Sequence, residues 1–138
     1  MKSLDTNVLA RFFIDDPDDE EAARQRPEAV AALADRCFVC VTVLLELEWV
    51  MRGFYGLPRS EFIRVATALA GVDHISLEDR GAVLAAVEAH AQGLDFADAL
   101  HVVRSGRASG FVTFDQRLAK RAAALGIGPP VEVLVGAP

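Results

Sequence analysis

The 138-residue chain has few cysteine, tryptophan, tyrosine and lysine residues and no long apolar run. No segment approaches the ~18–20 apolar residues of a membrane-spanning helix, so no transmembrane segment is predicted. Acidic residues interrupt the N-terminal segment where a signal peptide would be apolar, so we expect a cytoplasmic protein. The formal net charge of −6 argues against a protein that holds nucleic acid mainly through a broad basic face.

The only two cysteines, Cys37 and Cys40, have the CxxC spacing found in redox and zinc sites. They lie in CFVCVTV, whose β-branched and apolar residues predict a buried strand. Strand positions three apart point to opposite faces, so these two sulfurs would not share a ligand. No second CxxC and no histidine pair is available to complete a zinc site. We therefore expect buried, unreactive thiols.

Length and composition fit a single globular domain over residues 1–138, with 52% hydrophobic and 25% charged residues. The acidic run at residues 15–21 precedes an alanine-rich segment and predicts a solvated helix start. The remaining predicted elements, in chain order, are a strand ending near Leu4 and a helix after it, a strand at Phe38–Val41, a helix from an N-cap at Thr42 to Phe54, a helix at Glu61–Leu69, a strand about Asp73–Ile75, a helix from Leu77 to about Ala91 that Gly93 ends, a helix at Asp95–Arg104, a strand in GFVTFD, a helix at Gln116–Leu125 and a strand at Val131–Leu134.

Strands that alternate with helices predict parallel pairing through right-handed crossovers. The segments FVCV, FVT and VEVLV have the apolar character expected of strands that helices cover on both faces. We therefore predict an α/β fold, a three-layer α/β/α domain with a short, mainly parallel central sheet.

Four acidic residues fall where such a sheet places its functional site, at the carboxyl ends of strands and the starts of the following helices. They are Asp5, Glu46, Asp98 and Asp115. Each alone has a structural explanation, as a turn residue, a helix cap or an acid on a helix. Independent caps would not need to occupy sheet-end positions together, so the set predicts a shared function. The apolar residues around Glu46 lead us to expect buried surroundings for it.

Carboxylates that converge in one pocket repel one another, and a divalent cation removes that cost. Ligands that are all oxygen atoms favour a hard ion such as Mg²⁺ or Mn²⁺. A water bound to such an ion can be activated to attack a phosphodiester. The acids therefore indicate phosphoryl chemistry that needs no nucleophilic side chain.

Four segments, LDTNVLARF, TVLLELEWVMR, LDFADALH and FVTFD, resemble in order and spacing the motifs of VapC-type PIN-domain ribonucleases. The resemblance covers the whole chain. It implies a Mg²⁺- or Mn²⁺-dependent endoribonuclease that cleaves structured RNA such as tRNA or rRNA, and the toxin of a toxin–antitoxin pair. It also implies a homodimer and a VapB-like antitoxin that occupies the active site. Basic residues of such an antitoxin would suit an acidic chain.

The resemblance assigns residue roles one by one. It makes Asp5, Glu46, Asp98 and Asp115 the catalytic metal ligands, and it places Asn7 and Thr113 as supports that hydrogen-bond to them. Asp95 either supports a ligand or caps its own helix, and we favour the cap. Arg11 matches a basic position that would contact RNA. His101 could transfer protons, although a packed or hydrogen-bonded structural histidine is the expectation, and Arg104 and Arg107 could contact phosphates.

Two other function classes are compatible with an α/β chain that carries acids. A phosphoaspartyl protein, either a receiver or a phosphatase, would need an acidic pair after the first strand or a second aspartate where Asn7 stands. A non-catalytic binding module would be expected to have lost some of the four acids, and all four remain. The segment LLELEWVMRGFYGL would form either a dimer surface or plain core.

Overall fold

In a computed structural model that describes residues 1–137, the strands are short and every strand pair is parallel. The chain divides into two compact units, residues 1–80 and residues 81–138. The strands are β1 (Lys2–Ser3), β2 (Cys37–Val39), β3 (Ile75–Leu77), β4 (Phe111–Thr113) and β5 (Val131–Val133). The helices are α1 (Thr6–Phe13), α2 (Glu20–Ala34), α3 (Val41–Trp49), α4 (Arg59–Ala70), α5 (Arg80–Ala91), α6 (Phe96–Val103) and α7 (Gln116–Leu125).

The first unit contains a three-stranded sheet in the order β1-β2-β3. Cys37 of the central strand pairs with Lys2 on one side and with Ile75 on the other. The Leu4 N–H continues the first ladder by donating to the Phe38 carbonyl at 2.9 Å. Parallel pairing of consecutive strands through intervening helices is what the alternating sequence pattern predicted.

The second unit contains the parallel pair β4-β5, in which Val112 lies opposite Glu132. The expectation that these strands are covered on both faces is wrong, because the central residue of each is exposed and the flanking residues are half-buried. Strand β2 meets the expectation in part, because Cys37 and Val39 bury one face whereas Phe38, on the opposite face, is half-buried. An apolar sequence therefore identified the strands but did not show which faces are covered.

The junction between β2 and α3 differs from the prediction of a strand at Phe38–Val41 and an N-cap at Thr42. The strand ends at Val39, and Cys40 is the N-cap residue, with no side-chain capping bond. The Val41 N–H donates instead to Oε1 of Glu78 at 2.8 Å. A carboxylate from beyond β3 therefore satisfies a donor of the first turn, and no local pattern in the sequence could indicate it.

The strand predicted about Asp73–Ile75 is β3, which begins at Ile75, and the following helix begins at Arg80 rather than at Leu77. Ile75 and Leu77 are buried on either side of exposed Ser76, which is the two-residue period of a strand. Pairing with β2 extends this strand to Leu77, which the sequence prediction had assigned to the following helix.

The helix predicted from Thr42 to Phe54 consists of α3 and a π-helical turn, Val50–Phe54. The Tyr55 N–H donates to the Val50 carbonyl at 3.1 Å, which is the wider spacing of a π-helix. The helix predicted at Glu61–Leu69 begins two residues earlier, and the last strand ends at Val133 rather than at Leu134.

The acidic run does precede a helix, as predicted. The Asp19 side chain accepts from the Ala22 N–H at 3.1 Å and so caps α2, whose first turn contains Glu20 and Glu21. These carboxylates complement the positive end of the helix dipole. The run is explained as a helix start.

The two cysteines behave differently from each other. Cys37 is buried in β2, and its Sγ donates to the Asp35 carbonyl at 2.9 Å. Cys40 lies outside the strand and is only half-buried, so the expectation of two buried strand thiols is wrong for Cys40. Both thiols are free.

Each unit has its own apolar core. Residues 1–80 bury the large side chains of Leu9, Leu44, Leu47 and Phe62, whereas residues 81–138 bury Phe96, Leu100 and Val83. Among residues 1–137, no helix combines the length and the apolar character needed to cross a membrane.

Candidate active site

Three carboxylates lie in one electrostatic neighbourhood of the second unit, on the helix starts that follow α5 and β4. Asp95 immediately precedes α6, Asp98 lies in the first turn of α6, and Asp115 immediately precedes α7. We call these three residues the acidic cluster. Asp98 and Asp115 are two of the four predicted metal ligands.

Two members of the acidic cluster are helix caps. The Asp95 carboxylate accepts from the Asp98 N–H at 3.1 Å, which confirms the predicted cap. Oδ1 of Asp115 accepts from the N–H groups of Arg117 at 2.9 Å and Leu118 at 3.1 Å. An N-cap contributes about 1 kcal/mol to helix stability, so both residues have a structural role besides any chemistry.

Thr113 was predicted to support an acid by hydrogen bonding, and its side chain contacts the main chain of Asp115. Its Oγ1 accepts from the Asp115 N–H at 3.0 Å. The turn between β4 and α7 is therefore held from both sides of Asp115, by Thr113 before it and by the first turn of α7 after it.

The surroundings of Asp98 disfavour its charged form. Partial burial raises the pKa of Asp98 above its ordinary value, and the charges of Asp95 and then Asp115 raise it further. Only His101 acts in the opposite direction. The excess of negative charge around Asp98 is what a bound cation would relieve.

His101 is exposed on α6, three residues beyond Asp98, so the expectation of a packed histidine is wrong. The buried histidine of this unit is His90, whose Nδ1 lies 2.7 Å from the Leu94 carbonyl oxygen. Arg104 and Arg107 are also exposed, and they follow α6 in the chain. These basic residues that follow Asp98 in the chain are thus at the surface.

In the first unit, Asp5 is exposed at the N-cap position of α1, but its side chain makes no capping hydrogen bond. Its carboxylate is therefore not used for the structural role that an aspartate after a strand most often has. Asn7 is exposed in the first turn of α1, and its support of a ligand stays a prediction.

Thr6, between Asp5 and Asn7, was not singled out from the sequence. It is only 3% exposed, and its Oγ1 has no hydrogen-bond partner among the described residues. A buried hydroxyl without a partner costs ~1–3 kcal/mol. Only the three-dimensional structure reveals this group, because threonine is an ordinary residue at the start of a helix.

Arg11 was predicted to contact RNA, and in the structure its side chain holds elements of the first unit together. Its Nε donates to Oε1 of Gln25 on α2 at 2.9 Å, and its Nη1 donates to the Tyr55 hydroxyl at 3.3 Å. These bonds use two of the five N–H donors of the guanidinium, so Arg11 has a structural role, and its contact with RNA stays a prediction.

Glu46 is exposed on α3, and the expectation of buried surroundings is only partly right. Leu44 and Leu47 are buried, but Trp49 is 62% exposed. The buried acid of this helix is Glu48, which is 5% exposed and forms an ion pair with Arg52 at 2.9 Å. Residues 46 and 48 therefore lie on different faces of α3, and Glu46 is the one available to solvent.

The acids fit a hard cation in donor type and in charge, since carboxylate oxygens are the usual ligands of Mg²⁺ and Mn²⁺. Within residues 1–137, however, no three His, Cys, Asp or Glu side chains are already gathered as a metal-binding group. Repulsion by Asp95 and Asp115, which raises the pKa of Asp98, opposes closer approach of these carboxylates when no cation is bound.

Comparison with protein families gives a match to the PIN domain over residues 3–124. Neither the curated proteins nor the solved structures include a match to this chain. The matched range contains all four predicted acids and the strands β2, β3 and β4, whereas β5 lies beyond it. The match bears out the predicted α/β/α fold class, and it favours nuclease chemistry over a phosphoaspartyl mechanism. The chain therefore belongs to the PIN domain family, whose members are generally metal-dependent nucleases.

Proposed function

We propose that this PIN domain is a Mg²⁺- or Mn²⁺-dependent endoribonuclease of the VapC type, which hydrolyses RNA phosphodiesters as the toxin of a toxin–antitoxin pair. The observation that carries the proposal is the acidic cluster, in which Asp95 and Asp115 raise the pKa of half-buried Asp98. An acid in the first turn of a helix, such as Asp98, does not need two further carboxylates beside it. A metal ligand does, because a divalent ion is balanced by several negative charges.

Asp98 and Asp115 are the proposed ligands in the second unit, and the resemblance to VapC adds Asp5 and Glu46 from the first. Asp5 supports this role because its carboxylate is exposed and free of a capping bond. Glu46 supports it because it is the solvent-accessible acid of α3, whereas Glu48 is paired with Arg52.

The metal-bound site would lower the pKa of a coordinated water and neutralise charge that develops on the phosphate. The chain's own residues supply the charge and the positioning. The cap bonds of Asp115 to Arg117 and Leu118, with the Thr113 contact, fix the Asp115 carboxylate at the start of α7. The Asp95 cap holds the first turn of α6, from which Asp98 projects. Such preorganisation spares the reaction the cost of ordering its ligands.

The proposed substrate is a structured RNA, tRNA or rRNA, and the proposed partner is a VapB-like antitoxin with basic residues that complement the acidic cluster. We propose that the protein acts in the cytoplasm as a homodimer. Trp49 and Phe54 support a self-association surface, because they are 62% and 75% exposed although both are large and apolar.

Metal titration separates the enzyme from a non-catalytic module with the same fold. We expect Mn²⁺ to bind to the wild-type protein and to Glu88→Gln, because Glu88 is an exposed acid of the same unit outside the acidic cluster. Asp98→Asn should abolish that binding, and the cleavage of RNA should disappear with it. Equal Mn²⁺ affinity in the wild type and Asp98→Asn would contradict the proposed site.

A further inference from the structure

A large aromatic side chain lies exposed beside the acidic cluster. Phe114 is 70% exposed and stands between Thr113, the last residue of β4, and Asp115, the cap of α7. Its ring does not serve the core of the second unit, which is built from other side chains. Packing therefore does not explain why an aromatic residue occupies this position.

The main chain on both sides of Phe114 is held in place. The Thr113 carbonyl accepts from the Leu134 N–H at 2.7 Å, and Thr113 Oγ1 accepts from the Asp115 N–H at 3.0 Å. After the ring, the Asp115 carboxylate is bonded to the first turn of α7. Phe114 is therefore presented from a fixed turn, which lowers the entropy cost of using it as a contact.

The charge of the second unit is compatible with a nucleic acid at this place. Residues 81–138 contain five basic and five acidic residues, and three of those acids form the acidic cluster. Outside the cluster, only Glu88 and Glu132 oppose the five basic residues. The strong negative charge of the chain therefore belongs to residues 1–80, and this unit does not repel a phosphate backbone as a whole.

From this placement we propose that Phe114 is a stacking platform for an unpaired base of the RNA whose phosphodiester lies at Asp98 and Asp115. The inference rests on the proposed nuclease function and deepens it by naming the contact that selects unpaired nucleotides. Every base has a π-face, so stacking on an aromatic ring tolerates any sequence. A base inside a helix has both faces covered by its neighbours, so a stacking platform favours loops and single strands over duplex.

A binding measurement tests the platform without requiring cleavage. The Asp98→Asn protein in EDTA is titrated into a single-stranded 12-mer RNA that contains 2-aminopurine, whose fluorescence reports stacking. We expect Phe114→Leu in this background to weaken binding about tenfold and to remove the fluorescence change. Phe114→Trp should retain both, because it keeps a π-face, whereas leucine keeps only apolar area.

The matched control is Val112→Thr, because Val112 is 53% exposed and lies two residues before Phe114 on β4. We expect Val112→Thr to bind RNA as the parent does. Unchanged binding in Phe114→Leu would overturn the proposal, as would absence of RNA binding in the parent. Equal losses in Phe114→Leu and Val112→Thr would also overturn it, since they would indicate a general apolar docking surface.

A double-mutant cycle, which combines Phe114→Leu with abasic sites in the RNA, distinguishes failure of this inference from failure of the proposed function. Abasic sites are introduced one position at a time into a cleaved RNA, and the KM of the wild type is compared with that of Phe114→Leu. We expect one position at which the abasic site and Phe114→Leu each raise KM about tenfold but add nothing to each other, with little change in kcat. Metal-dependent cleavage with the same KM in Phe114→Leu would leave the nuclease intact and remove the platform. RNA binding that depends on Phe114 without any cleavage would support the platform and remove the proposed nuclease function.

Discussion

Residues 1–80 contain nine basic and fifteen acidic residues, whereas residues 81–138 contain five of each, so the net charge of −6 belongs to the first unit. In the first unit, several acids stabilise the fold. Asp19 caps α2, Glu48 pairs with Arg52, and Glu78 accepts a hydrogen bond from the Val41 N–H. The second unit concentrates three of its five acids at two helix starts, where they raise the pKa of Asp98.

The comparison shows that the number of acids in a region is a poor guide to where a metal site lies. The run at residues 15–21 has the highest density of carboxylates in the chain, yet it is a solvated helix start. The candidate site is recognised instead by carboxylates that share one neighbourhood and raise the pKa of Asp98.

The largest expected effect tests whether the first unit contributes to catalysis at all. Asp5→Asn should lower kcat for RNA cleavage about 10³-fold, because loss of one metal ligand removes several kcal/mol of transition-state stabilisation. Asp73→Asn is the matched control, since Asp73 is another exposed acid of the first unit, and it should cleave like the wild type. Cleavage by Asp5→Asn at the wild-type rate would confine the active site to the second unit.

The next prediction separates two acids of α3 by what they do. Glu48→Ala should lower the free energy of unfolding by about 1–2 kcal/mol, because it removes a buried carboxylate and its ion pair with Arg52, whose side chain is exposed. Glu46→Ala should change stability by less than about 0.5 kcal/mol, because Glu46 is exposed, but should lower cleavage. Urea unfolding and RNA cleavage rates of both variants check this. Loss of stability in Glu46→Ala and loss of cleavage alone in Glu48→Ala would contradict it.

A smaller effect tests whether capping and catalysis can be separated at Asp115. Asparagine is an equally good N-cap, whereas alanine removes the bonds to Arg117 and Leu118. Asp115→Ala should therefore be about 1 kcal/mol less stable than Asp115→Asn, while both lose most cleavage activity. If the two variants unfold at the same urea concentration, the Asp115 cap does not contribute to the stability of α7.

The smallest effect is a pH dependence at Asp98. Because the folded-state pKa of Asp98 is raised, its contribution to stability is fully present below its ordinary pKa of about 3.9 and is lost as the pH rises through the raised value. Without metal, Asp98→Asn should therefore be slightly more stable than the wild type at pH 7, because solvent screens the partly exposed carboxylate.

That advantage of Asp98→Asn should shrink as the pH falls from 7 towards 4. Thermal unfolding in EDTA across this range measures it, with Glu88→Gln as the control at an exposed acid outside the acidic cluster. An advantage that stays constant with pH would show that the charge of Asp98 is not its cause.

The sequence was sufficient to predict the order of strands and helices, because apolar periodicity and turn residues are local signals. The errors lie where distant parts of the chain decide the structure. Glu78 caps α3 in place of Thr42, and pairing with β2 turns Leu77 into a strand residue. The exposure of Val112 and Glu132 is a tertiary property as well, since it depends on what packs against β4 and β5.

For the site, the sequence indicated the acids, while the interactions that distinguish their roles required the structure. Asp95 was predicted to be a cap and is one, whereas capping by Asp115 was a structural alternative to metal binding, and Asp115 is a cap as well. The use of Arg11 to join Gln25 and Tyr55 depends on contacts between elements, as does the buried hydroxyl of Thr6. No local pattern specifies either.

The most direct test of the central claim is cleavage of a mixed tRNA and rRNA pool by the wild-type protein with Mg²⁺ or Mn²⁺. EDTA and the Asp98→Asn variant serve as controls. We predict discrete fragments that appear with metal and vanish in both controls, and their ends would identify the RNA. Fragments of equal yield from Asp98→Asn, or no fragments from folded wild-type protein that binds metal, would contradict the account.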